Sequence, residues 1–263
     1  MRQIVLEQPG RFSGVVEAPP PEPRPGEALV RVHRVGVCGT DWHAYRGEQP
    51  YFTYPRILGH ELAVEVVAAP PDGGDLKPGE RCAVEPYLSC GGCDACRAGK
   101  YNCCESLRVL GVHTDGGMRE LLAVPADRLH KSGRLTLDQL ALVETLGIGA
   151  HAVARSGLSA GEDALVVGAG PIGLSVVQFA RAAGARVRVL DTSPTRREFA
   201  TRFGVEALAS PDGRLAGVSS TPPAAPRPWL KASGAWRTAD AWCLWAWSRE
   251  RWRSTIRCSI AAS

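Results

Sequence analysis

Residues 163–191 read DALVVGAGPIGLSVVQFARAAGARVRVLD, and the order of features within them decides the fold. A short continuous apolar run, DALVV, suits a strand covered on both faces. Gly168-x-Gly170-x-x-Gly173 closes that strand and opens a helix with Pro171 in its first turn and Gly184 at its end. ARVRVLD is a second strand, Ser193-Pro194 opens a further helix, and VEALA is a short third strand. The result is β-α-β-α-β, half of a doubly wound parallel sheet. Such a loop needs glycine to turn tightly, to approach a pyrophosphate without a Cβ and to pack helix on strand, while the helix N-terminus offers free N–H groups to phosphate. Asp191, ending the second strand eighteen positions after Gly173, is expected to accept hydrogen bonds from ribose hydroxyls and to repel a 2′-phosphate. That favours NAD over NADP, although Arg196 and Arg197 lie close enough to weaken the preference.

Upstream the texture differs. RQIVLE, EALVRVHRVGV, ELAVEVVAA, RCAVEP and MRELLAVP are short β segments between Gly/Pro turns, so residues 1–145 are read as a β-rich domain. PPPEPRPGE at 19–27 is an extended connector. Residues 139–157 carry helical spacing and end at Gly157, and the sheet domain is taken from 146 to 218.

Within the β-rich part, Cys90, Cys93, Cys96 and Cys104 form C-x2-C-x2-C-x7-C among glycines. Four thiolates at this spacing can close a tetrahedral shell around one Zn²⁺, and such a shell has no open position for catalysis. Cys103 is a rival for the fourth place that spacing alone does not separate from Cys104. A thioredoxin-type C-x-x-C belongs between strand and helix, which this loop is not. The opening MRQIVLEQPG lacks a basic and then apolar leader, so an oxidising destination and disulfides are not expected. Two other fragments carry donors: Gly36-Val37-Cys38-Gly39-Thr40-Asp41-Trp42-His43 and Gly59-His60-Glu61. A thiolate and an imidazole from separate loops are two-thirds of an open zinc site.

Taken in this order, the two donor fragments, the four-cysteine loop and the glycine fingerprint resemble the zinc-containing medium-chain alcohol dehydrogenase family, from about residue 2 to about 210. The resemblance implies an N-terminal GroES-like domain and a Rossmann domain, two zinc ions and NAD. It implies Cys38 and His60 as catalytic zinc ligands, with Glu144 third, since ALVETLGIGAH has glutamate where alcohol dehydrogenases proper have cysteine. That points to the sorbitol dehydrogenase-like branch. Glu61 resembles the family's carboxylate that can approach the metal, and Thr40 and His43 its proton relay. Val64 departs from the glycine usual after the GHE signature. The implied reaction is hydride transfer from a secondary alcohol of a polyol, sugar or sugar acid to NAD, in the cytoplasm. A threonine-type or general alcohol dehydrogenase is the alternative within this chemistry, and a zinc-binding remnant without catalysis the alternative outside it. Family members are commonly homo-oligomers; for this chain the state is not legible.

The chain has 263 residues, 44% apolar, and a formal charge of +4. Residues 219–263 hold seven Arg or Lys against Asp240 and Glu250, so the basic excess belongs to the tail and the body offers no electrostatic reason for a nucleic-acid partner. No apolar run approaches the ~18 residues of a membrane span. Six of the seven tryptophans follow position 228. The second βαβαβ half is not legible after 218, so the Rossmann domain reads as incomplete and the tail as an out-of-frame product of a GC-rich gene, able to form an adventitious amphipathic helix.

Overall fold

The computed structural model describes residues 1–50, 52–210 and 241–245. The reading of an aberrant tail therefore lies outside the described residues, apart from 241–245. The chain divides into two compact units, Met1–Glu144 and one beginning at Thr145.

In the first unit β1 (Arg2–Gln8) and β2 (Arg11–Glu17) form an antiparallel hairpin, followed by β3 (Glu27–Gly36), α1 (Gly39–Tyr45), β4 (Glu61–Ala68), β5 (Arg81–Val84) and β6 (Tyr87–Leu88). Next come the short α2 (Asp94–Arg97), β7 (Arg108–Val109), β8 (Leu121–Pro125), β9 (Leu129–Lys131) and α3 (Leu137–Ala141). Strands β8-β3-β4-β5-β9 form one antiparallel sheet in that order, and β6 pairs with β7 apart from it.

Strand β4 is buried on both faces because alternate side chains meet different layers. Leu62, Val64 and Val66 enter a core with Val30, Cys82, Val84, Leu122 and Val124, each fully buried aliphatic side chain contributing about 2 kcal/mol. Ala63 and its cross-strand partner Ala83 point the other way, against Leu140 and Ala141 of α3. Two alanines leave the room that lets a helix lie close on a sheet. Val64 is fully buried opposite Val32 and Cys82, beside a register shift between Val32 and Arg34, so the departure from glycine there is absorbed as core.

The single helix expected over 139–157 is two. Thr136 caps α3 in a reciprocal capping box with Gln139, bonded at 3.2 Å and 2.9 Å. After Leu142 the chain restarts as α4 (Val143–Ser156). The apolar period runs through both pieces, and only the cap chemistry marks where the first begins.

The second unit contains β10 (Asp163–Val167), α5 (Pro171–Ala182), β11 (Arg186–Leu190), α6 (Pro194–Thr201), β12 (Glu206–Leu208) and β13 (Ala241–Trp245). All pairings are parallel in the order β12-β11-β10-β13. The first three strands match the sequence expectation. Residues 241–245 add a fourth strand, paired with β10 from Asp163↔Ala241 to Val167↔Trp245, within the tail that the sequence suggested could form an adventitious amphipathic helix. The free edge of a central parallel strand takes a partner of any composition that can extend, because the ladder is made by backbone groups. Among the described residues no helix is long and apolar enough to cross a membrane.

Two glycines of α4 separate backbone cost from packing need. A Cβ on Gly149 would lie 2.1 Å from Ser175 Oγ and 2.7 Å from its carbonyl carbon, whereas one on Gly147 meets nothing within 4 Å. Gly147→Ala is expected to stabilise the fold by about 0.5–1 kcal/mol, and Gly149→Ala to cost about 2 kcal/mol. Urea unfolding followed by circular dichroism checks this; equal effects of the two substitutions would sink the packing argument.

Candidate metal centres and cofactor loop

The four-cysteine loop folds so that one Sγ from each of Cys90, Cys93, Cys96 and Cys104 lies within 4.8 Å of all the others. Cys104 is therefore the fourth member, and Cys103 stands outside the set. The Cys90 and Cys96 sulfurs are 4.0 Å apart, close to the ~3.8 Å edge of a tetrahedron with 2.3 Å zinc–sulfur bonds. These four cysteines are free thiols, as are Cys38, Cys82 and Cys103. The loop is tied by Arg97, which donates to the Gly92 carbonyl and to Asp94, and by Cys90 N donating to Cys104 Sγ at 3.2 Å. The backbone N–H of Gly92, then Ser106, Cys93 and Cys104, hold Cys90 down at about 6, and backbone groups of Glu105 and Cys96 lower Cys93. Burial instead pushes Cys96 up to about 12. Donors aimed at sulfur favour the thiolate that a metal requires, so the loop fits a closed zinc shell.

The second set gathers Cys38, His60 and Glu61, whose donor atoms also lie within 4.8 Å of one another. Cys38 is the N-cap of α1, and His60 and Glu61 stand at the start of β4. Helix α1 is seated by Ala44, buried with Leu6, Phe52, Leu58 and Val112, and its other buried residue is Asp41. Asp41 Oδ2 accepts from Cys38 N at 2.9 Å. Its Oδ1 lies 3.7 Å from His60 Nδ1, and both atoms are buried without a hydrogen-bond partner. With Nδ1 turned to Asp41, Nε2 is the ring nitrogen left for Cys38 and a metal.

Glu61 is placed by a residue to which the sequence reading gave no role. Gly36 pairs with it across the sheet, and a Cβ there would sit 2.2 Å from Glu61 Oε2. The signal was available only as a glycine ending a strand beside Cys38. Glu144, the expected third ligand, is not in the close set: its Oε1 accepts from the Tyr87 hydroxyl at 2.7 Å. It remains near enough for its charge to act on His60.

The local field calls for positive charge. Burial works against a charged His60, yet the Cys38 hydrogen bond and the charges of Asp41, Cys38 and Glu144 raise it to about 9. Burial raises both Asp41 and Glu144 above ordinary carboxylates. A thiol, an imidazole and buried carboxylates converging in this way fit a divalent cation.

Thr40 is half-buried on α1, and His43 on the same helix has Nδ1 3.2 Å from Glu48 Oε2, a partner the sequence reading did not name. His33 and His130 face Glu65 at 3.3 Å and Glu85 at 3.1 Å.

In the cofactor loop the three glycines answer to three constraints. Gly168 has φ +100°, Gly173 would drive a Cβ to 1.8 Å from the Gly168 carbonyl oxygen, and a Cβ on Gly170, the N-cap of α5, would meet only open space. That open approach before a helix N-terminus fits a phosphate. Asp191 is buried; Oδ2 accepts from Ala169 N at 2.8 Å and Oδ1 from Ser193 N at 2.7 Å. The carboxylate expected to read ribose thus also clips the glycine loop to the end of β11. Arg197 donates to the carbonyls of Asp191 and Thr192 at 2.8 and 2.9 Å, while exposed Arg196 stays 3.9 Å from Asp191 Oδ2.

Asp41→Asn preserves shape but removes the carboxylate charge facing His60. Zinc affinity at the Cys38 set is expected to fall about 10–100-fold, with the four-cysteine metal retained, as read by chelator competition. Unchanged affinity would remove Asp41 from the site.

Residues 24–134 match the alcohol dehydrogenase GroES-like domain. The chain is 49% identical over 189 residues to L-galactonate-5-dehydrogenase of Escherichia coli, covering 72% of this chain and 56% of that one. It is 42% identical over 213 residues to a zinc-type alcohol dehydrogenase-like protein of Haemophilus influenzae, covering 80% and 62%. Among solved structures it resembles the NADH complex of an alcohol dehydrogenase from Escherichia coli CFT073, at 37% identity and a TM-score of 0.74, covering 79% and 62%. The chain thus spans 56% and 62% of the lengths of these two curated relatives. Residues 24–134 thus carry the GroES-like domain of alcohol dehydrogenases, and the chain is similar, through the glycine fingerprint, to zinc-type alcohol dehydrogenases.

Proposed function

We propose that this chain carries the zinc site and the first half of the NAD site of a dehydrogenase that oxidises a secondary alcohol of a polyol, sugar or sugar acid. The observation that carries the reading is the pair of unlike donor sets in one unit. Four sulfurs form a closed shell, and Cys38, His60 and Glu61, with Glu144 nearby, form a mixed one.

Cys90, Cys93, Cys96 and Cys104 would hold a structural zinc. Cys38, His60 and a carboxylate, Glu144 or Glu61, would hold the catalytic one. When bound, zinc supplies Lewis acidity to a substrate hydroxyl and the nicotinamide supplies a hydride acceptor. The protein's own part is to orient ligands and to move the proton. Asp41 fixes the Cys38 backbone and faces the His60 ring. Thr40 Oγ would take the hydroxyl proton while giving up its own, which would pass by way of the nicotinamide ribose hydroxyl to His43 and on to solvent. Glu48 holds His43 by Nδ1. Gly168, Gly170 and Gly173 would admit the pyrophosphate, and Asp191 would favour NAD by repelling a 2′-phosphate. The name of the Escherichia coli relative, a dehydrogenase of L-galactonate, supports a sugar acid or polyol as the small-molecule substrate. Thiols kept for metal also support a reducing compartment, the cytoplasm.

Two zinc ions per chain are expected, falling to one in Cys38→Ala and, separately, in Cys104→Ser. Calorimetry is expected to show NAD binding that is lost in Gly170→Trp. One zinc per wild-type chain, unaltered by Cys38→Ala, would remove the catalytic site; zinc without NAD binding would leave a metal-binding remnant.

A further inference from the structure

Tyr87 belongs to neither donor set, yet it touches both regions. It lies in β6, three residues before Cys90, and β6 pairs with β7, four residues after Cys104, through Tyr87↔Val109 and Leu88↔Arg108. The ribbon therefore closes the base of the four-cysteine loop. Arg128 grips the same segment on either side of Tyr87, donating to Glu85 at 2.9 Å and to Ser89 at 3.1 Å. Leu110 N donates to the Pro86 carbonyl at 3.0 Å. From this fixed base the Tyr87 hydroxyl donates to Glu144 Oε1 at 2.7 Å, across 57 residues of sequence.

A phenol has one hydrogen to give, so it engages one carboxylate oxygen and leaves the second. A hydrogen bond to an ionised carboxylate is short and about twice as strong as a neutral one, enough to select one orientation of the carboxylate. Groups of this kind, one step behind a metal ligand, set its direction and basicity.

We propose that Tyr87 is a positioning residue for the catalytic metal: its hydroxyl holds Glu144 Oε1 so that Oε2 is presented to the Cys38, His60 and Glu61 set, and the β6–β7 ribbon makes that orientation depend on an ordered four-cysteine loop. The inference rests on Glu144 and the Cys38 set being ligands, as proposed above. A closed structural shell then has a second role, since it anchors the residue that aims a ligand of the other site.

The test uses the full chain with zinc at the four cysteines and cobalt at the Cys38 set. Tyr87→Phe removes only the hydroxyl. Metal affinity at the Cys38 set, measured by chelator competition, is expected to fall about tenfold or more, and the visible cobalt spectrum to change, with the four-cysteine zinc retained. In a Glu144→Gln background the same substitution should change neither quantity, because the carboxylate it orients is gone. Wild-type affinity and an unaltered cobalt spectrum in Tyr87→Phe would overturn the proposal, as would an equal loss in both backgrounds, which marks a general folding defect. A wild-type chain that takes up metal at the four cysteines alone overturns this proposal together with the functional reading, so the two failures are distinguishable.

Discussion

Two loops with no sequence neighbourhood in common meet at the carboxylate of Asp41, which accepts the Cys38 backbone N–H at 2.9 Å on one oxygen and faces His60 Nδ1 at 3.7 Å with the other. The first contact begins α1 and fixes where the Cys38 sulfur leaves the chain. The second decides which ring nitrogen of His60 is turned inward. Both atoms of the second contact are buried and otherwise unpartnered, a costly arrangement unless a charge forms there. The donor set, the start of β4 and the seat of α1 all follow from this buried carboxylate.

Burying Asp41, His60 and Glu61 together takes ionisable groups out of water and requires a scaffold that holds them in place. The five-stranded sheet provides it through two unlike faces of β4. Leu62, Val64 and Val66 lock the strand into the main core, and Ala63 with Ala83 lets α3 pack against the opposite face. The turn after α3 begins α4 at Val143 and so delivers Glu144 to the vicinity of His60. Small residues under a helix and large ones on the reverse of the same strand are thus part of the metal site, although none of them is a donor. The anionic surroundings that raise His60 to about 9 are stable only where a proton or a metal ion supplies the compensating charge.

The second unit shows the same economy with backbone groups. Gly173 lets α5 approach β10 so closely that no Cβ fits, Gly168 takes a left-handed turn, and Asp191 returns from the end of β11 to hold Ala169 N. The loop's own backbone contacts set its shape, and Gly170 is the position left open. β13 then occupies the side of β10 away from β11, which extends the parallel sheet to four strands.

Residue types at fixed short spacing were legible without a structure: the four cysteines, Cys38 with Thr40, Asp41 and His43, the pair His60 and Glu61, and the glycines before α5. Each is a local pattern whose chemistry is contained in the residues themselves, as is the β-α-β-α-β order that follows from apolar periods and turn residues. Which partners meet was a matter of tertiary structure. Cys104 was separated from Cys103 by the path of a loop. Glu61 was brought to the close set by a missing Cβ at Gly36, and Glu144 was held by Tyr87 from 57 residues away. The break between α3 and α4 and the pairing of 241–245 belong to the same group. Sequence spacing records what lies within a turn or two along the chain; contacts across a sheet depend on register and on close approach, which are settled only when the whole sheet has packed.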